Sequence, residues 1–375
     1  MRELVELRRR LHTQPELSHH ETATAEIIHS FLLQNSPDEL LTELGGHGLA
    51  AVYRGELEGP QVLVRCELDA LPIPETIALD YSSQSEQVAH KCGHDGHMTI
   101  LAGLAQQFGA RRPARGSVVL LFQPAEETGE GAALVINDPK FQSLKPDFAI
   151  ALHNLPGFPL GEVVLREGSF ASASTGLIIR LQGKTSHAAE PQQGRSPALA
   201  VAQLIEGLSS LPQFRTALHE AAQVTVIHAR LGEVAFGTSP GAAEVMATIR
   251  SRTPEVMDKL TAEAAELARN IGAAYGLTVE TETTQTFPAT INDPQVVEVI
   301  AEAAADLKMN VYLALVPFGW SEDFGHFTDR FRGALFGLGA GEHHPALHNP
   351  TYDFPEELIE PGMKLFTRII ENLLN

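Results

Sequence analysis

The segment "HKCGHDGH" places Cys92 two residues before His94, with His90, Asp95 and His97 beside them. A thiolate and an imidazole suit zinc or another borderline transition metal, whereas calcium and magnesium prefer all-oxygen sites. On an extended segment, side chains two residues apart point to the same side, so this pair can address one site. Farther along, "FQPAEETGEGA" carries the adjacent acids Glu126 and Glu127 directly after the apolar run "SVVLLF". Metal-assisted hydrolysis needs a carboxylate ligand and a separate base that takes a proton from the attacking water. Two neighbouring glutamates would fill these tasks, one each. His153 follows another apolar run in "IALHNLPGFPLG", where its ring can point into a cleft. Near the C-terminus, "GEHHPALHNPTYDFP" offers His343, His344 and His348 in a Gly- and Pro-punctuated loop, and nothing local selects among the three.

These groups must be positioned by the surrounding elements. From about residue 50, the apolar runs "GLAAVYRGE", "QVLVRCEL", "GSVVLLFQ", "DFAIALHN" and "GEVVLREG" alternate with helical patterns. That alternation predicts an α/β layer with a central sheet buried on both faces. Glu126, Glu127 and His153 then lie just beyond the C-terminal ends of strands, and His94 in a strand-to-helix connection, at the edge where open α/β sheets bind ligands. Leu101, Leu104, Ala105 and Phe108 follow the spacing of a buried helical stripe. The helix is expected to begin near Met98, leaving the cysteine and histidines in the preceding loop. From Ser172 onward, strand, helix, two strands, helix and strand succeed one another, the ferredoxin-like βαββαβ order. Residues 172–286 therefore read as an inserted domain within a discontinuous one formed by 1–171 and 287–375.

A chain of 375 residues exceeds the length at which single cores usually split. With 27 basic against 47 acidic residues, its formal charge of −20 repels phosphate backbones and argues against a nucleic-acid partner. No apolar run approaches a membrane span. The N-terminus lacks a signal-peptide pattern and reads as two short amphipathic helices. Cys66 and Cys92 are too few for a disulfide framework, which fits a reducing, cytoplasmic setting.

The motifs "LRRRLHTQPELSHHETATAEII", "VRCELDALPIPE", "HKCGHDGHMTILAGLA", "QPAEETGEGA", "ALHNLPGFPLG", "GKTSHAAEPQQGRSPALA", "SEDF" and "LHNPTYDF" occur in that order. In this the chain resembles the aminoacylase, hippurate hydrolase and indole-acetyl-amino-acid hydrolase family of two-metal peptidases, over nearly its whole length. The resemblance implies a phosphorylase/hydrolase-like catalytic domain, with a central mixed sheet and flanking helices, plus a ferredoxin-like lid and dimerisation domain. It implies hydrolysis of N-acyl or N-aroyl amino acids with two divalent ions, zinc or manganese first, cobalt or nickel next. Cys92 matches the metal-bridging group, His94, Glu127, His153 and His348 the other ligands, and Glu126 the general base. His187, in "GKTSHAAEP", matches a histidine that reaches the active site of a neighbouring subunit in a homodimer. His343 and His344 become bystanders, Asp95 and His97 supports, and His90 has no role.

Two positions depart from the family pattern. Glu67 stands where relatives commonly have aspartate, and its extra methylene is expected to displace whatever that carboxylate orients. Gly237 replaces an asparagine that contacts substrate in many relatives. A metallo-dipeptidase or carboxypeptidase acting on small peptides is the alternative enzyme. A non-catalytic metabolite-binding descendant is disfavoured, because the base and every ligand position are filled.

Overall fold

A computed structural model describes residues 1–375. Helices α1 (Arg2–Thr13) and α2 (Thr22–Gln34) precede strands β1 (Glu39–Leu44), β2 (Gly48–Arg54) and β3 (Leu57–Glu67). Then follow α3 (His94–Ala110), β4 (Arg115–Gln123), α4 (Gly131–Asn137), β5 (Phe148–Pro156), β6 (Val163–Leu165) and β7 (Gly168–Ala171). A second run holds β8 (Ala173–Gln182), β9 (Ser186–His187), α5 (Ala198–Arg215), β10 (Ala222–Leu231), β11 (Thr238–Ser239), β12 (Ala242–Ser251), α6 (Pro254–Ala274) and β13 (Thr278–Phe287). The chain closes with β14 (Thr290–Asn292), α7 (Pro294–Asp306), β15 (Val311–Leu313), α8 (Gly325–Thr328), β16 (Arg332–Gly341) and α9 (Ile359–Leu374). It divides into two units: Met1–Phe170 with Thr290–Pro317 and Glu322–Asn375, and Ala171–Ala289 with Phe318–Ser321.

The first unit is built on an eight-stranded sheet in the order β1-β2-β4-β3-β5-β16-β6-β15. Its centre is parallel, through β4, β3, β5 and β16, while β1, β2 and the β16–β6 pair are antiparallel. Val62, Val64, Val118, Leu120 and Ile150 on the sheet are buried with Leu101 and Leu104 of α3 and Phe366 and Ile369 of α9. Burial of these branched side chains removes apolar area from water at about 25 cal/mol per Å2. Because the central strands are parallel, their C-terminal ends share one edge, which collects the loops carrying the chemistry.

Helix α3 begins at His94, four residues before the expected Met98. Gly93 adopts φ 92, and its carbonyl accepts from the N–H groups of Gly96 at 2.9 Å and His97 at 3.1 Å. Apolar periodicity did not mark this turn because its side chains are polar, yet Asp95 there complements the positive helix N-terminus. Cys92 and His94 therefore do not lie on an extended segment. The left-handed bend at Gly93, rather than strand alternation, sets their directions.

The second unit pairs β10-β12-β8-β13 in a fully antiparallel sheet. With α5 and α6 it forms the ferredoxin-like arrangement. Ile179, Val245 and Ile249 are buried in the sheet, as are Leu204 and Leu208 of α5 and Leu260 of α6. Thr253 caps α6 by accepting from the N–H of Val256, and Pro254 occupies its first turn, both favourable at a helix start. No helix is long and apolar enough to cross a membrane.

Candidate metal centre

All five expected ligands, Cys92, His94, Glu127, His153 and His348, belong to the first unit, and the fold brings their donor atoms together. One group joins Cys92, His94 and His153; a second joins Cys92, Glu127 and His348; a third joins His94, Glu126 and Glu127. Within each group the donor atoms lie within 4.8 Å of one another. The Cys92 Sγ is common to the first two groups and stands 3.5 Å from His153 Nε2.

The imidazoles are oriented by backbone carbonyls. His94 Nδ1 donates to Asp69 O at 2.8 Å, and His153 Nδ1 donates to Asn154 O at 2.9 Å. Each bond fixes the ring so that Nε2 faces the other donor atoms, the orientation a cation would need. His94 Nε2 is buried without a hydrogen bond and lies 3.9 Å from Glu127 Oε1, which is likewise buried and unpaired. Facing atoms at this separation are too far apart for a hydrogen bond but suit a shared cation.

Glu126 and Glu127 sit on the turn after β4. Ala125 is held there at φ 52, a costly conformation for a residue with a Cβ, while its N–H donates to the buried Glu21 carboxylate at 2.7 Å. The N–H of Glu127 donates to Asp69 Oδ2 at 3.0 Å, so Asp69 anchors both the acidic turn and His94. His348 is at φ 62, its N–H donates to Lys91 O at 2.8 Å, and its Nε2 is 3.7 Å from Glu127 Oε2. Its pKa is lowered, first by burial and then by His94.

The electrostatics ask for positive charge. Burial, followed by Glu322, Glu127 and Asp323, pushes the Glu126 carboxyl well above the ordinary range. Burial raises Glu127 to about 7 despite the opposing influence of His94. Burial and then Glu127 and Glu126 push up the Cys92 thiol, so a thiolate here needs a neighbouring cation. The donor set of imidazole nitrogens, thiol and carboxylates fits divalent transition metals. Cys66, the other free cysteine, is buried away from any of these groupings.

The supporting residues acquire partners that the sequence left unassigned. Glu67 Oε2 accepts from His97 Nδ1 at 2.7 Å, while its other oxygen pairs with Arg65. His97 Nε2 in turn accepts from the N–H of Asn154 at 3.2 Å, beside His153. Glu67 thus spans Arg65 and His97. Arg65 is fully buried and also meets Glu322 at 2.7 Å and Asp323 at 2.5 Å, both from "SEDF". The acid pair in that motif was the available signal, but its partner lay 258 positions away.

His344 is more than a loop histidine, since its Nε2 donates to Asp353 O at 2.6 Å and its ring packs edge-on against Tyr352. His343 is exposed and joins no grouping. His187 lies in the second unit on β9, exposed, paired with Thr238 of β11. Its Nδ1 accepts from the N–H of Ala189 at 3.1 Å, which leaves Nε2 as the donor. Gly237 has open space where a Cβ would stand. Also in this unit, Arg250 is half-buried and bonded to Gly319 O and Ser321 Oγ, with burial lowering its pKa and no carboxylate opposing it.

The two-unit architecture and the clustered thiol, imidazoles and carboxylates define a hydrolase of the metallopeptidase class. Residues 63–372 match Peptidase family M20/M25/M40, and the chain belongs to that family. It is 31% identical to the N-acetyl-L-cysteine deacetylase of Bacillus subtilis (strain 168), over 96% of this chain and 85% of that one. It is 29% identical to the hippurate hydrolase of Campylobacter jejuni, over 98% of this chain and 95% of that one. A crystal structure of a dinuclear metal-binding peptidase of the M20 family from Bacillus subtilis superposes with a TM-score of 0.83 at 26% identity, covering 100% of this chain and 98% of that one.

Proposed function

We propose that this enzyme is a metal-dependent amidohydrolase that cleaves the amide bond of N-acyl or N-aroyl amino acids. The observation that carries this reading is the grouping of Cys92, His94, Glu127, His153 and His348 beside a further buried acid, Glu126. The substrate class follows the activities for which its relatives are named, deacetylation of N-acetyl-L-cysteine and hydrolysis of hippurate. Cys92, His94, Glu127, His153 and His348 would hold two divalent ions, zinc or manganese before cobalt or nickel.

Such ions, when bound, polarise the scissile carbonyl and make water a stronger nucleophile near neutral pH. Glu126 takes the proton from the attacking water and hands it to the leaving amine as the C–N bond breaks. Its carboxyl lies among Glu127, Glu322 and Asp323, an environment that favours holding a proton between those two events. Asp69 O and Asn154 O keep the two imidazoles in the ligand tautomer throughout. His187, with Nε2 left as a donor, would stabilise the developing oxyanion across a homodimer formed through the ferredoxin-like unit. The exposed Val234 and Phe236 of that unit offer apolar surface for such an interface. The paucity of cysteines fits residence in the cytoplasm.

Protein reconstituted with zinc or manganese should hydrolyse acetyl, benzoyl or indole-acetyl amino acids faster than free dipeptides. Turnover confined to dipeptides would replace this reading with a peptidase.

A further inference from the structure

The N-terminal motif "LRRRLHTQPELSHHET" takes no part in the chemistry proposed above, yet it buries charge against the loops that carry it. Arg8 and His12, one turn apart on α1, are both fully buried. Arg8 Nε lies 2.8 Å from Asp95 Oδ2, and another guanidinium nitrogen pairs with Asp353. His12 Nδ1 is 2.8 Å from the same Asp95 oxygen, and its Nε2 is 2.9 Å from Glu75 Oε1. With a carboxylate oxygen against each ring nitrogen, the imidazole satisfies both by donating twice. Glu75 also pairs with Lys91, whose Nζ donates to Tyr352 O at 2.7 Å. Tyr81 donates to the remaining Asp353 oxygen at 2.8 Å.

Asp95 directly follows His94, Lys91 directly precedes Cys92, and Asp353 closes the loop that begins at His348. The network therefore ties together two loops that meet at the centre from sequence positions more than 250 apart, and it anchors both to one helix. Three cations, Arg8, His12 and Lys91, face Asp95, Glu75 and Asp353, and Glu356 lies 3.6 Å from a further guanidinium nitrogen of Arg8. A largely buried charge network has defined geometry but contributes little net stability compared with apolar packing, so its use here is orientation.

We infer that Arg8 and His12 are positioning residues for the metal centre, clamping the Cys92–His94 loop and the His348 loop at fixed separation. This rests on the ligand assignment proposed above. Arginine suits the task because its planar fork engages two carboxylates at once, whereas lysine presents a single point charge.

The test uses full-length protein and cobalt(II), whose bond to a cysteine thiolate gives a charge-transfer absorption. Affinity is read by competition with a chelator, and folding by circular dichroism and thermal melting. Arg8→Lys should remain folded, bind cobalt at least about tenfold more weakly and shift the thiolate absorption. Asp353→Asn, which cuts the second arm, should act in the same direction, and combining it with Arg8→Lys should add less than the sum of the two, as coupled residues do. If Arg8→Lys does not fold, Asp353→Asn and His12→Gln carry the same expectation. Folded variants with parental affinity and spectrum would overturn the clamp. Cys92→Ser separates the two ideas: it should abolish the thiolate band, and a band that survives would overturn the ligand assignment instead.

Discussion

Glu126 and Glu127 are chemically identical neighbours that the fold points in different directions. Glu127 faces Cys92 and His348, whereas Glu126 lies with Glu322 and Asp323. Glu126→Gln preserves shape and removes the proposed base, so metal content should stay at the parental level while kcat falls on the order of 10²–10⁴-fold. Metal analysis beside steady-state kinetics checks this, and parental turnover would exclude Glu126 as the base. Cys92→Ala should instead lower bound metal itself, with activity partly restored by excess metal in the assay. At this scale the candidate groups were legible: a cysteine between histidines, and paired acids after an apolar strand, stand out as donors that the fold brings together. The support was legible only in part, since Asp95 and His97 were expected there but their partners were not. Glu67, His97 and the backbone of Asn154 form a chain of orientation in which no link is a sequence neighbour of the next.

Elements turn these residue types into directions. The bend at Gly93 opens α3, and a Cβ added there would fall 2.0 Å from Asn154 Oδ1 and 3.0 Å from Tyr352 Oη. Gly93→Ala should cost about 1–2 kcal/mol from backbone conformation alone, more from the collision, and should weaken metal binding as Cys92 and His94 diverge. Chelator titration with thermal melts reads both effects. Helix α1 carries a pH signature. Burial opposes charge on His12, but hydrogen bonds with Asp95 and Glu75 outweigh it and raise the pKa above its ordinary 6.5. Burial of Glu75 is outweighed by His12, Lys91 and the N–H of Ser83, which hold it down to about 2. The Glu75 contribution is present above its ordinary value of 4.5 and is lost as pH falls toward 2. That of His12 is complete below 6.5 and is lost as pH rises through the raised folded value. His12→Gln should therefore lower Tm most near pH 5–6, with the gap to the parent narrowing toward alkaline pH; a constant gap would show that His12 does not titrate with folding.

For the whole molecule, the order of strands and helices was readable because periodicity is local, and the βαββαβ run appears almost residue for residue. The start of α3 escaped because polar ligands replace the apolar stripe in its first turn. The charge networks of Arg65 and Arg8 escaped because they exist only after distant segments meet. If His187 acts across a homodimer, mixing inactive Glu126→Gln and His187→Ala chains should restore part of the activity, since one of the two sites in a mixed dimer would be intact. Mixed dimers, verified by size and tagging, that stay inactive would exclude action between chains.

The position of β16 sets a timetable for synthesis. This strand, Arg332–Gly341, lies between β5 and β6, which end at residues 156 and 165. At translation rates of about 5–20 residues per second, the ribosome needs on the order of 10–30 s to supply it after those strands emerge. During that interval the facing edges of β5 and β6 lack their native neighbour, and such edges invite pairing with other chains. The ferredoxin-like sequence is translated within the same interval, before the last strand of the large sheet. Crowded or overloaded synthesis should therefore expose this protein to aggregation through the β5 edge, and a chaperone that shields nascent strands would be most useful while residues 166–331 are being made.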